Sequence, residues 1–266
     1  MKADALMESI KGWVEQLAAE LQEGQTQGFL AFLEKAGRFH RYSARNVLLI
    51  HQQRPEATLV AGMKRWNELG RRVRKGERGI AILAPSLKRV EVVDEETQEV
   101  REERKLVGFH TTYVFDIAQT EGEPLKPQTE EIPQGPALYA RLKVVCPVGV
   151  QEGLLPGGAL GKTNGKRIVL AADQGYTSKA ETLLHEWAHT LLHFGGMNLP
   201  REVEELEAEA VAYAVGRELG LPMSTSRDYI LHWRGTVEAL EASLERLQEV
   251  ARQILSAIKS RLEAAA

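Results

Sequence analysis

Apolar residues recur at Leu6, Ile10, Trp13, Leu17 and Leu21, the spacing of a helix with one buried stripe, so Ala3 to Leu21 is expected to be helical. Gly24 ends that helix. Two more are expected, from about Gly28 to Lys35 and from Ser43 to Gln53; Ser43 can cap the latter, and Val47, Leu48 and Ile50 face inward until Pro55. A short helix around Trp66 belongs to a compact basic unit, Lys64 to Gly79, whose remainder reads as a charged strand or loop. Residues rich in β-branching then fill Ile80–Leu83, Val90–Val93 and Leu106–Phe115. With the polar turn Asp94-Glu95-Glu96-Thr97-Gln98 between them, they predict a β-hairpin with strands near 80–93 and 100–115.

The stretch Glu121 to Pro136 holds four prolines, two glycines and few apolar residues, which marks a linker. The expected division is therefore a first domain over 1–120, a linker over 121–135 and a second domain over 136–266. The second domain opens with a short apolar helix or strand region, Leu138 to Val150, a Gly-rich turn at Pro156 to Gly161 and a strand at Arg167 to Ala171. Ser178 with Glu181 forms a capping box before an apolar helix that ends at Gly195-Gly196. A helix from Arg201 to Glu218 follows, then a long one beginning at Ser226 or Thr236 and reaching Leu262, with Leu240, Leu244, Leu247, Val250, Ile254 and Ile258 along one side. Helices and strands are segregated along the chain, an α+β pattern.

No stretch approaches the roughly 18 consecutive apolar residues of a membrane span, and the acidic, amphipathic N-terminus is unlike a leader peptide. A cytoplasmic protein with no membrane partner is expected. Cys146 is the only cysteine, so a metal site must draw on His and carboxylate ligands. The net charge of −3 conceals an asymmetry: Lys35 to Arg89 carries 14 Lys or Arg against Glu56, Glu68 and Glu77, a local net of +11. A basic block inside an otherwise acidic chain points to a localised polyanion-binding surface.

His185-Glu186-Trp187-Ala188-His189 has the HExxH pattern, whose spacing projects both histidines from one helix face so that they can share a cation. Glu186 is placed as the general base toward water at that cation. Zn2+ is the expected metal, since it suits imidazole and carboxylate ligands and leaves a position open for water. The third ligand is expected on the following helix, where Glu202, Glu204, Glu205, Glu207 and Glu209 are all available. Glu209 is favoured because it begins the apolar part of that helix and would be held against the core. Tyr213, one turn on, is either packed or a donor to a developing oxyanion, and His193 is an outer neighbour or packing group. In the basic half, Arg41, Arg45, Lys64, Arg65, Arg71, Arg72, Arg74 and Lys75 are candidate phosphate contacts; Ser43 and Asn46 can hydrogen-bond a sugar or base edge. Phe39, Tyr42 and Trp66 are the aromatic faces inside the block; Trp66 is read as mostly packed and partly exposed, and bases stack on such rings with about 1–3 kcal/mol each.

Several segments also resemble a known family. Phe39-His40-Arg41-Tyr42-Ser43-Ala44-Arg45-Asn46, Trp66-Asn67-Glu68-Leu69-Gly70, Val73-Arg74-Lys75-Gly76-Glu77, Gly79 to Pro85 and Val114 to Gly122 are similar to the N-terminal domain of the ArdC antirestriction proteins. The resemblance implies a single-stranded DNA-binding module, found on plasmids and other mobile elements, followed by a metallopeptidase-like domain of zincin type. The second half is similar to the ImmA/IrrE metallopeptidases, whose ligand glutamate falls at Glu209, while Glu204-Glu205-Leu206, Tyr229-Ile230 and Trp233 look more like ArdC itself. Together these imply a protein that binds incoming single-stranded DNA and protects it against restriction, with a protein substrate for the second domain if it cleaves one. The rival reading is an ImmA/IrrE-like regulatory zinc protease that cleaves a repressor.

Overall fold

The structure, a computed structural model, describes residues 2–93, 100–125, 134–196, 199–224 and 237–263. The acidic hairpin turn at 94–98, and Tyr229, Ile230 and Trp233, lie outside the described residues. The chain forms two compact units, one of Met1–Gly12 with Leu48–Glu123, the other of Trp13–Val47 with Pro124–Ala266. The change of unit after Glu123 lies in the proline-rich stretch, but Trp13–Val47 is built into the second unit.

In the first unit a three-stranded antiparallel sheet has the order β1 (Val60–Ala61), β4 (Val100–Asp116), β3 (Ile80–Val93). The β3–β4 pair is the expected hairpin, in register from Ile80 opposite Val114 to Val93 opposite Val100, with a bulge at Ser86/Leu87. Asp116 fixes the exit from β4: its carboxylate accepts from the backbone N–H of Thr58 (2.8 Å), Leu59 (3.1 Å) and Ala118 (2.9 Å), and the Gln119 side chain closes the capping box. Short strands β2 (Arg71–Val73) and β5 (Thr120–Gly122) pair antiparallel. Against them packs α4 (Met63–Glu68), whose Trp66 is 0% exposed and donates its indole N–H to the Phe115 carbonyl at 2.9 Å.

In the second unit α7 (Arg201–Glu218) is the central element, buried continuously from Leu206 to Gly216 and packed by α2 (Gln27–Arg38), α6 (Tyr176–Leu192) and α8 (Val237–Glu263). Helix α2 comes very close: a Cβ on Gly37 would lie 2.2 Å from the Ala214 carbonyl oxygen, so only glycine lets the two backbones meet. The polar crossing residue Gln248 of α8 donates to the Ala36 and Phe39 carbonyls at 3.2 and 3.4 Å. A mixed sheet has the order β6 (Gly149–Gly153), β8 (Arg167–Ala171), β7 (Gly161–Thr163); β6 runs parallel and β7 antiparallel to β8. Strand β8 and helix α7 have the expected bounds, whereas Leu138–Val150 splits into helix α5 (Pro136–Val145) and the start of β6, and strand β7 emerges from what reads as a Gly-rich turn. The expected capping box at Ser178 is absent. Helix α6 starts two residues earlier at Tyr176, the Ser178 hydroxyl donates to Gln174 at 2.8 Å, and Glu181 accepts from the Met223 N–H at 2.8 Å. No helix among the described residues is long and apolar enough to cross a membrane.

Candidate metal centre

Helix α6 presents His185 and His189 on the side facing α7, and their Nε2 atoms lie 3.0 Å apart. The Glu205 carboxylate, from the second turn of α7, is 3.5 Å from both Nε2 atoms. These three side chains place their ligand atoms within 4.8 Å of one another, a group that could hold a metal ion. The expected third ligand, Glu209, sits one turn further along α7, with Oε1 3.2 Å from Nδ1 of His185, on the outer side of that ring. Both carboxylates share one face of α7. The deeper of the two flanks the pair of rings, while the more solvated one reaches the point between them.

Hydrogen bonding sets the ring orientations. Glu207 is 0% exposed and accepts from the Ser243 hydroxyl at 2.6 Å and from the Arg246 guanidinium, both on α8. It also lies 3.3 Å from His193 Nε2, which must therefore be the donor, because an ionised carboxylate only accepts. That leaves the His193 Nδ1 lone pair to accept from His189 Nδ1 at 2.9 Å, so His189 directs its own Nε2 lone pair toward His185. Burial alone would raise the Glu207 carboxyl, yet its bonds to His193, Ser243 and Arg246 hold it below the usual carboxylate range. The sequence places His193 beside the site, but Ser243 and Arg246 lie a whole helix away, and no local spacing signals them.

The electrostatics suit a cation. Burial opposes charge on His185, but the adjacent carboxylates of Glu205 and Glu209 outweigh it and push that imidazole up to about 10. Bonds from His185 and His189 hold Glu205 well below the ordinary range. His185 Nδ1 is buried with no aligned hydrogen-bond partner, so the Glu209 approach is a charge contact. Two imidazole lone pairs and a carboxylate converging on one point repel unless a proton or a metal ion lies among them, and a divalent cation fits this donor set. Glu186 is 7% exposed, and burial, reinforced by Glu205 and Glu209 against the pull of His185, raises its carboxyl to about 7. Strand β7 passes directly over it: a Cβ on Gly161 would lie 2.8 Å from Glu186 Oε1. The Thr163 and Thr190 hydroxyls, 2.9 Å apart, tie the same strand to α6. Tyr213 faces elsewhere, its hydroxyl donating to Glu34 of α2 at 3.2 Å, which is the packing role and not an oxyanion donor.

The nucleic-acid candidates divide. Trp66 is enclosed and offers no face to a base, since its position in a basic segment says nothing of the apolar floor onto which α4 folds. The Arg71 guanidinium is spent on the β2–β5 pair, bonding Thr120 Oγ1 at 2.8 Å and the Glu123 carbonyl at 2.6 Å. Arg74 is held by Glu77 at 2.7 Å and by the Ala118 carbonyl. Arg65 pairs with Glu68 at 3.1 Å on the surface, and Lys64, Arg72 and Lys75 are exposed. In the second unit Arg41 is exposed, Tyr42 stands edge-on to Phe39, Ser43 Oγ accepts from the Asn46 N–H at 3.4 Å as a helix cap, and Arg45 lies 3.7 Å from Glu245 of α8.

Residues 3–115 match the family of the N-terminal domain of anti-restriction factor ArdC. A Bacillus anthracis protein, described as uncharacterized, is 26% identical over 278 residues, covering 84% of this chain and 46% of its own length. The chain thus spans about half the length of the curated relative it matches. The crystal structure of the antirestriction ArdC protein from the R388 plasmid, metal-free, superposes with a TM-score of 0.55 at 18% identity, covering 96% of this chain and 98% of that one. Its Mn(II)-bound structure gives 0.53 at 16% identity, with 94% and 97% covered. Residues 3–115 are thus similar to the N-terminal domain of ArdC, and the chain as a whole shares the fold of the R388 ArdC structures.

Proposed function

We propose that this chain is an ArdC-like protein that binds single-stranded DNA entering a cell with a mobile element, and that its second unit carries a divalent-metal centre of zincin, metallopeptidase type. The observation that carries the second part is the convergence of His185 Nε2, His189 Nε2 and the Glu205 carboxylate on one point, 3.0 to 3.5 Å apart, with Glu186 buried beside them. The Mn(II)-bound state of the R388 protein supports a divalent cation; Zn2+ is our choice from the imidazole–carboxylate donor set.

A bound cation would supply Lewis acidity to a carbonyl and to water. The protein groups do the rest. His193, Glu207 and Arg246 orient His189, and the Glu186 carboxylate accepts a proton from attacking water and returns it to the leaving amine. The exposed edge of β7, which crosses Glu186, offers an extended peptide a backbone to pair with. DNA binding rests on the exposed cations of the first unit, Lys64, Arg72 and Lys75.

Glu186→Gln tests the hydrolytic part, because the amide keeps the shape and cannot take the proton. The variant should bind one equivalent of metal by elemental analysis and lose cleavage of a casein or peptide-library substrate by at least about 100-fold. Full protection of transferred DNA by this variant, with metal still bound, would assign the centre a structural role and discard the repressor-cleaving alternative as well.

A further inference from the structure

Strand β7 is an outer strand of the mixed sheet, and its two faces carry opposite electrostatics. The Leu160 carbonyl accepts from the Ala171 N–H at 2.8 Å, and the Asn164 N–H donates to the Arg167 carbonyl at 3.2 Å. Even-numbered residues therefore turn their backbone groups toward β8, while Gly161 and Thr163 turn theirs toward the free edge. The side chains divide by the same alternation. Thr163 points to α6, where its hydroxyl meets that of Thr190, and Gly161 lies on Glu186 with no room for a Cβ. Lys162 stands on the opposite face with its cross-strand partner Val169 and with Arg167, two residues before Val169 on β8. Both cations are exposed, neither has an ion-pair partner among the described residues, and Gly153 to Ala172 contains no Asp or Glu. Glu152 of β6 faces the α6 side instead, 2.7 Å from Lys179.

We infer that β7 takes an extended peptide of alternating apolar and acidic residues, its acidic side chains beside Lys162 and Arg167 and its apolar ones on the α6 side. The inference rests on the peptide-docking reading above and names the class of peptide for it. A strand added to this edge pairs with the backbone of Gly161 and Thr163, and each of its residues shares a face with the one it opposes. The residue opposite Lys162 thus lies among cations, where a carboxylate is attracted and a lysine repelled. Its two neighbours project to the face that holds the Glu186 carboxylate, where further negative charge is disfavoured. A nucleic acid would find the cations but has no use for the unpaired backbone edge, so the two features together favour a peptide.

The test uses the whole chain with metal removed by a chelator, so that peptides are held and not cut, and fluorescence anisotropy of labelled peptides. Leu-Glu-Leu-Glu-Leu should bind at least about fivefold more tightly than Leu-Lys-Leu-Lys-Leu, and by a similar factor over Leu-Leu-Leu-Glu-Glu, an isomer whose carboxylates fall on both faces. Lys162→Glu should reverse the preference for glutamate over lysine. If that variant fails to fold by circular dichroism, Lys162→Gln should abolish the preference. Equal affinity for the two isomers would overturn the inference, because charge alone would then suffice, and so would no binding of either. An unchanged preference in the folded Lys162 variants overturns it too, as does displacement of the peptide by an equal concentration of oligothymidylate, which would make the cations a nucleic-acid surface. With Zn2+ restored, alternating peptides that bind and are never cut would keep the docking edge and remove the hydrolytic reading. Casein cleavage without any peptide preference would remove the inference alone.

Discussion

Two carboxylates one turn apart on α7 stand differently to the imidazoles, and single substitutions tell them apart. Glu205 lies 3.5 Å from the Nε2 atoms of both His185 and His189, while Glu209 approaches only the outer nitrogen of His185. Glu205→Gln should therefore abolish stoichiometric metal binding, and Glu209→Gln should weaken it by about 10- to 100-fold, the usual effect of removing a group that orients a ligand. Isothermal titration with Zn2+ and Mn2+ reads both; the reverse order would return Glu209 to the ligand position that the family resemblance gives it. The acidity of this site also makes occupancy pH-dependent. Since His185 holds its proton up to about pH 10 without a metal ion, metal must displace that proton, and binding releases it to the buffer.

Helix-to-helix links explain why the candidate site's histidines are legible in the sequence and its support is not. The two histidines are adjacent turns of one helix, so a period of 3.6 residues suffices to bring them together, and the choice among the α7 glutamates is a question of which turn faces them. Arg246 and Ser243 reach Glu207 only because α8 packs on α7, a long-range fact that no local pattern carries. The hairpin is legible from its β-branched runs, yet β7 hides in Gly161-Lys162-Thr163 because its glycine is needed for passage over Glu186 and not for a turn. Trp66 is packed as read but wholly rather than partly enclosed, because cations around an aromatic describe its neighbours in sequence, whereas burial is decided by the fold. The α7–α8 link gives a prediction of its own. Arg246→Ala leaves Glu207 charged and enclosed with its strongest partner gone, which should cost about 3–5 kcal/mol in urea unfolding. Arg246→Met combined with Glu207→Met should recover most of it while still weakening metal binding, since His193 then loses its anchor. Unchanged metal affinity in that double variant would exclude the His189–His193–Glu207 chain as a positioning device.

At the scale of the whole molecule, a net charge of −3 argues against general attraction to DNA, so binding must come from the local +11 of Lys35 to Arg89. Much of that block is already committed inside the protein: Arg71 and Arg74 hold the β2–β5 pair and its flanks, and Arg45 and Arg65 face glutamates. Exposed on the first unit are Lys64, Arg72, Lys75 and Arg78, with Lys88, Arg104 and Lys105 on the hairpin. A strand engaging about five of these releases condensed counterions in proportion, and single strands give a slope of roughly −0.7 per phosphate neutralised. Affinity for oligothymidylate should accordingly fall with log salt at a slope of about −3 to −4, steep for a protein of net negative charge. If all 14 basic residues of the block were engaged the slope would approach about −10, and if only stacking operated it would be near zero. The measured value therefore counts how many of the cations that crowd the sequence are left by the fold for a ligand.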